Sequence, residues 1–551
     1  MNSHSKIKIL KIHPKDNVLV ALTNLQPQEQ LNYEGEAFIV KDPVPAKHKF
    51  FTEHLQKGSP VYMYGVLVGT VQEEVEKGSV MTTANTRHAA EDYAYRSSSY
   101  QWQPPDVTAF ASRTFLGYHR KDGKVGTANY WLFIPTVFCE NRNLDVIKEA
   151  LNQELGYAVT DKYKKYTHTL VSAYREGTAI PETVNEATLR AATNNRLFTN
   201  IDGIKFLNHS GGCGGTRQDA ATLSRLLAAY ADHPNVAGIT VLSLGCQHLQ
   251  VADLLQDIRL RNPQFDKPVL VYEQQQSSSE EVLIQQAIRD TFIQLIAANQ
   301  QERQPAALHH LCVGVKCGGS DGFSGISANP AVGYCADLLV ALGAKVLLAE
   351  FPELCGVEQE LIDRCISKPV AEKFIRLMHT YSAEATAAGS GFHMNPSPGN
   401  IKDGLITDAI KSAGACKKGG SAPVTDVLDY TEPATKAGLS LVCTPGNDVE
   451  ATTGKAASGA NLILFTTGLG TPTGNPVCPV IKIATNSNLA RRMSDIIDID
   501  TGPIIDGTKT IEEMGTAILE YCIKAASGMV IPKAVQLNQD DFIPWKRGVS
   551  L

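Results

Sequence analysis

The run Lys316-Cys317-Gly318-Gly319-Ser320-Asp321-Gly322-Phe323-Ser324-Gly325 constrains this chain more than any other feature. An apolar stretch, Leu311 to Val315, leads into a lysine, a thiol and a loop with four glycines, and Ile326-Ser327-Ala328-Asn329-Pro330 then opens a helix. Such a loop exposes backbone N–H groups, hydroxyls and a carboxylate with little bulk. That suits a small polyoxygenated anion better than a packed interior. The order recurs: Gly203–Asn208 enters Ser210-Gly211-Gly212-Cys213-Gly214-Gly215, and Gly238–Leu244 ends at Gly245-Cys246. Asn461–Phe465 runs into the hydroxyl- and glycine-rich loop from Thr466 to Asn475. Repetition of strand, loop and helix predicts an α/β fold with largely parallel sheets, whose ligands sit beyond the carboxyl ends of strands.

Length and composition bound the rest. A chain of 551 residues holds roughly two to four domains. Short alternating segments separated by glycines predict a small β-rich module over residues 1–92. A Tyr-, Ser- and Pro-rich linker or arm follows over 93–112, then an α/β domain over 113–304 and a C-terminal catalytic α/β domain over 305–551. Helices are expected over Asn329–Leu342 and, as one long element, Val357–Ala388. With 51 basic and 57 acidic residues the formal charge is -6, which offers no general attraction for nucleic acid or an anionic membrane. Residues 1–12 show no secretory pattern, and no apolar run approaches the ~18–20 residues of a membrane span. The expected setting is cytoplasmic, with twelve cysteines mainly reduced.

Several familiar motifs fail on inspection. Gly454-Lys455 resembles a phosphate loop, but Val449 stands at its first glycine and Ala456 where a hydroxyl should bind magnesium. Around Cys213 the dinucleotide fingerprint puts Arg217 in the place of its third glycine. What remains is thiol chemistry at strand ends. His209, Cys213, Cys246 and Cys317 form a thiolate and imidazole set suited to iron or zinc if they converge. The alternative is that the cysteines are small core hydrophobes. Glu350 and Glu353 follow the expected strand Val346–Ala349 as ligands or a base. Asn395-Pro396-Ser397-Pro398-Gly399-Asn400 presents two amides on a stiff turn.

These residues resemble the altronate/galactarate dehydratase family over nearly the whole chain. The carriers are Phe115-Leu116-Gly117-Tyr118-His119-Arg120, Asp122-Gly123-Lys124-Val125-Gly126-Thr127, the Cys317 loop with Ala328-Asn329-Pro330, Glu350 through Glu358, Asn395 through Asn400, and Phe465-Thr466-Thr467-Gly468. The resemblance implies an N-terminal SAF-type β-clip and dehydration of a sugar acid in hexuronate catabolism, D-altronate to 2-dehydro-3-deoxy-D-gluconate. Galactarate or sulfolactate chemistry on the same scaffold, or a non-catalytic sugar-acid-binding protein, are the alternatives. It also implies iron(II), with manganese(II) as a substitute and an iron–sulfur cluster on the three cysteines as the minor alternative. Glu350, Glu353, His209 and Lys316 are the expected catalytic residues; Cys213, Cys246, Cys317 and His209 the expected metal ligands. Asn329, Ser320, Asp321, Asn395, Asn400, Thr466, Thr467, Arg217 and Lys402 are expected to hold substrate, in a homo-oligomer, expected to be a dimer. Departures from the family pattern include Val80-Met81-Thr82-Thr83-Ala84-Asn85, which lacks two histidines, and Thr407-Asp408-Ala409-Ile410-Lys411 in place of Thr-x-Glu-Glu-Lys.

Overall fold

The computed structural model describes residues 7–95, 100–158, 162–182, 196–548 and 550. The Ser97-Ser98-Ser99 run of the expected arm lies outside them. Period-two segments of the first module form three small antiparallel sheets. One joins Ile9–Leu10, Val18–Ala21 and Lys49–Phe51; another pairs Gln30–Tyr33 with Glu36–Ile39; the third joins Pro60–Met63, Val66–Val71 and Thr86–Arg87. The described part of the arm lies on its own chain. Trp102 Nε1 donates to Ser421 Oγ at 3.2 Å, and Phe110 is buried.

Two α/β units follow, each built on a parallel sheet. The first orders its strands Gly203–Phe206, Tyr130–Pro135, Val236–Ser243 and Val269–Glu273. Tyr130–Pro135 is buried at every position, so it reads as a continuous apolar run and not as an alternating one. The second sheet has seven parallel strands, in the order Val424–Leu428, Gly438–Val442, Lys345–Ala349, Cys312–Cys317, Leu462–Thr467, Val480–Ala484 and Ile499–Asp500. The α/β class with largely parallel sheets holds. Val424–Leu428 is an edge strand carrying Thr425 and Asp426, and that polarity hides it from an apolar-run reading. The expected helix over Val357–Ala388 is two helices, Glu358–Asp363 and Lys368–Ala387, the second starting at Ser367 with Pro369 in its first turn. Proline lacks the N–H an unbroken helix would need there.

The interior of the seven-stranded unit is unusual. Lys316, Lys418 and Lys455 rank with Trp131 and Phe133 among the largest fully buried side chains. Helix Ala328–Ala341 packs Gly333 directly on the turn Lys417–Gly419 that carries Lys418, and a Cβ there would lie 2.1 Å from the Lys417 carbonyl oxygen. Gly333→Ala should therefore push that turn away and cost about 1–3 kcal/mol of stability. A thermal melt should show a lowered midpoint; an unchanged midpoint would contradict the packing described.

Candidate active site

Three strand ends of the seven-stranded sheet and one helix supply the site. Cys312–Cys317 delivers Lys316 and Cys317 from its last two positions. Lys345–Ala349 delivers Glu350, whose backbone turns left-handed at φ 74° and whose N–H donates to Thr444 Oγ1 at 3.0 Å. A non-glycine residue in that conformation stores about 1–3 kcal/mol of strain, and such strain clusters at functional sites. Glu353 follows on the short turn Phe351–Leu354. Beyond Gly438–Val442, Gly446 accepts a hydrogen bond from Lys316 Nζ at 3.3 Å, and Asn447 caps the helix Asp448–Ala457. Gly318 is what lets Asp448 approach, since a Cβ there would lie 2.5 Å from its carboxylate. Helix Asp408–Cys416 contributes Lys411 from its first turn, and Lys418 follows its end.

These groups interlock. Lys316 Nζ is bonded to Glu350 and lies 2.9 Å from Asp448. Lys418 Nζ donates to Cys317 Sγ at 2.8 Å and lies 3.4 Å from Glu350; Lys455 Nζ lies 3.6 Å from Glu350. Cys317 Sγ donates to Glu353 Oε2 at 3.4 Å, and Lys411 Nζ reaches Glu353 at 3.1 Å and bonds the Asn395 amide oxygen. Burial pulls the Lys316 ammonium down, but Asp448, Glu350 and Glu353 outweigh it and hold it well above the ordinary value. Burial pushes the Glu353 carboxyl up, but Lys411, Lys316 and Lys418 outweigh that and hold it below the carboxylate range. Burial keeps Cys317 a thiol against the pull of Lys418, and lowers Lys455 to about 8.

Among the described residues, one set of three metal-ligating side chains has its ligand atoms within 4.8 Å of one another: Cys317, Glu350 and Glu353. A thiol and two carboxylates fit a borderline divalent cation once the thiol proton leaves. Of the expected metal set, Cys317 lies in this cluster. Cys213 and Cys246 are exposed and follow strands of the four-stranded sheet, whereas Cys317 is buried at the end of a strand of the seven-stranded one. The Cys213 loop faces instead a cleft with Asp219, His248, Tyr430, Trp545 and Lys546. Cys246 Sγ accepts from Gln275 Nε2 at 3.2 Å. Both ring nitrogens of His209 are engaged by the backbone in this arrangement. Its Nε2 lies 2.9 Å from the Pro135 carbonyl, its Nδ1 accepts the Gly211 N–H at 3.1 Å, and burial lowers it to about 4.

The expected substrate residues divide similarly. Asn395 lies at the cluster, half-buried beside Gly446, and its Nδ2 is 3.0 Å from where a Cβ of Gly446 would sit. Asn400 is spent on structure: it closes a capping box with Ser397 and donates to the Ser320 carbonyl at 2.9 Å. Asn329 donates to Gly414 and accepts from Thr466 Oγ1 at 2.6 Å. Thr467 Oγ1 accepts the Gly470 N–H at 3.0 Å. Asp321 takes Thr485 and Ser324 hydroxyls and pairs with Lys47 of the first module at 3.0 Å. These residues fix the loops around Cys317. Arg217 and Lys402 are exposed, and the Lys402 carbonyl is 2.9 Å from His48 Nε2. Lys411, Lys418, Lys455 and Asp448 escaped the sequence reading, although Lys411 keeps the lysine that ends the family's Thr-x-Glu-Glu-Lys.

Comparisons agree in extent. Residues 7–89 match the altronate/galactarate dehydratase SAF domain, 117–299 the D-galactarate dehydratase/altronate hydrolase second domain, and 308–550 the D-galactarate/altronate dehydratase C-terminal domain. The chain is 32% identical to an altronate dehydratase of Escherichia coli over 554 residues, covering 99% of this chain and 100% of that one. It is 30% identical to an altronate dehydratase of Bacillus subtilis over 548 residues, 98% of this chain and 99% of that one. A galactarate dehydratase (L-threo-forming) of Escherichia coli is 28% identical over 527 residues, 94% and 92%.

Two outcomes follow from the ion network. Glu350→Gln leaves Lys316, Lys418 and Lys455 buried beside a neutral amide, and should cost about 3–5 kcal/mol in urea titrations; a loss below 1 kcal/mol would contradict the pairing. Glu353 is held below its ordinary value of 4.5 in the fold, so its contribution is complete above that pH and is lost as pH falls below it. The stability gap between wild type and Glu353→Gln should narrow as pH is lowered from 6 to 3 on the order of that titration. A gap that stays constant would contradict it.

Proposed function

The chain belongs to the D-galactarate/altronate dehydratase family, and on that premise we propose that it dehydrates D-altronate to 2-dehydro-3-deoxy-D-gluconate. It is a hydro-lyase acting on a small sugar acid. The observation that carries the site assignment is the convergence of Cys317, Glu350 and Glu353 at adjoining strand ends, ringed by ammonium groups.

The reaction takes a proton from C2, beside the carboxylate, and expels hydroxide from C3; the enol then becomes the 2-keto acid. Carbanion formation beside a carboxylate is the hard step, because it puts further negative charge on an anion. Cys317, Glu350 and Glu353 would hold a divalent cation, iron(II) in this proposal with manganese(II) as its substitute, which when bound supplies Lewis-acid stabilisation of the enediolate and the leaving oxygen. Glu350 is clamped by Lys316, Lys418 and Lys455, which suits a fixed ligand. Glu353 lies beside Gly446 and Asn395, toward the half-buried side, and is ionised, as a carboxylate ligand to a cation must be. Asn395 and Lys411 sit where they would orient substrate hydroxyls. The proposal needs one reduced thiol, Cys317, which suits a cytoplasmic setting.

Reduced protein supplied with iron(II) should release a 2-keto-3-deoxy acid from D-altronate, faster than from galactarate. Cys317→Ala should lower kcat/KM at least 100-fold, read by 2-keto acid formation. Full activity in that variant would remove Cys317 from the site, and turnover of galactarate alone would move the substrate assignment.

A further inference from the structure

Lys482 is a second kind of buried lysine, one the ion network leaves out. Strand register sets Lys316, Phe465 and Lys482 side by side on three adjacent strands, so their side chains share one face of the sheet. Lys482 is fully buried, its Nζ sits 3.8 Å from the centre of the Phe465 ring, and it has no hydrogen-bond partner among the described residues. Nearby carboxylates are committed elsewhere. Asp448 pairs with Lys316 at 2.9 Å. Asp541 accepts the Gly474 N–H at 2.9 Å. Asp498 accepts from the backbone N–H groups of Lys482 and Lys533 and from the Tyr521 hydroxyl. Burial without a partner lowers Lys482 to about 7, while Asp448 and Lys316, both in the Cys317 network, lie within its electrostatic reach.

A methionine in this position would fill the same space without the cost of desolvating an ammonium. The carboxylates within electrostatic reach of Lys482, namely Asp448, Asp541 and Asp498, each bond another group, and none makes an ion pair or side-chain hydrogen bond with its Nζ. An acid entering this face would bring the partner that Nζ lacks.

We propose that Lys482 receives the carboxylate of the substrate and is the residue that makes the site select an acid over the corresponding polyol. This rests on the dehydratase reading above. Because the enediolate concentrates charge on that carboxylate, an ammonium here contributes more to the transition state than to the ground state.

The test is binding and turnover in wild type and Lys482→Met, full-length and reduced. Calorimetric titration uses D-altronate as the acid and D-altritol as its uncharged counterpart. Wild type should prefer the acid. In Lys482→Met the acid's affinity should fall at least tenfold, D-altritol's should not move, and the melting midpoint should stay level or rise. Undiminished acid affinity, an equal loss for acid and polyol, or no acid binding by wild type would each overturn the assignment. Acid binding that depends on Lys482 in a wild type forming no keto acid would instead leave the assignment standing and sink the dehydratase reading.

Discussion

The mutual neutralisation of buried ammonium and carboxylate groups around Cys317 is the interaction on which the rest of the structure depends. Taking either sign into the interior alone costs several kcal/mol, and removing one partner of such a pair costs about 3–5 kcal/mol. Lys316 can sit at the end of a fully buried strand only because Glu350 and Asp448 meet it. Glu350 in turn accepts a strained backbone to point back at three lysines. The arrangement is a poor way to stabilise a core and a good way to hold charge where charge will develop.

Each layer of the fold serves that placement. Parallel strands bring residues from distant parts of the chain to one edge. Helix Asp408–Cys416 then spans the gap, with Lys411 at one end and Lys418 past the other. The first module buttresses the same loops. Lys47 bridges Asp321 and Asp403, and buried Lys49 donates to the Gly404 carbonyl at 2.6 Å. The histidines missing from its final turn leave Asn85 to hold that turn by bonding Thr82 N and the Val80 carbonyl. His48 and His88 contact the backbone of the seven-stranded unit at Lys402 and Ala409, so the docking combines main-chain contacts with the Lys47 ion pairs.

Strand-and-loop grammar made Lys316, Cys317, Glu350 and Glu353 legible, because a polar residue just past an apolar run has few places to go but a strand end. Other residues gave no such signal. Lys455 occupies a helix and imitated a failed phosphate loop, and Lys418 stood in a Lys-Lys doublet that reads as solvated surface. Lys482 lay inside an apolar strand. Sheet membership was also hidden: Cys213 and Cys246 have the same local grammar as Cys317, yet their strands joined another sheet. Asn329, Asn400 and Thr466 stood out as polar groups expected to hold substrate, whereas the hydrogen bonds they make in the fold turn inward. Pattern reveals that a polar atom is placed deliberately; only tertiary contacts reveal what it is placed for.

The central claim is that Cys317, Glu350 and Glu353 together hold the reacting centre's cation. X-ray absorption of protein loaded with one equivalent of iron(II) under anaerobic conditions tests it most directly. The account predicts a single sulfur ligand among oxygen donors, lost in Cys317→Ser and retained in Cys213→Ser and Cys246→Ser. A spectrum with no sulfur ligand, or one whose sulfur survives in Cys317→Ser, would contradict it.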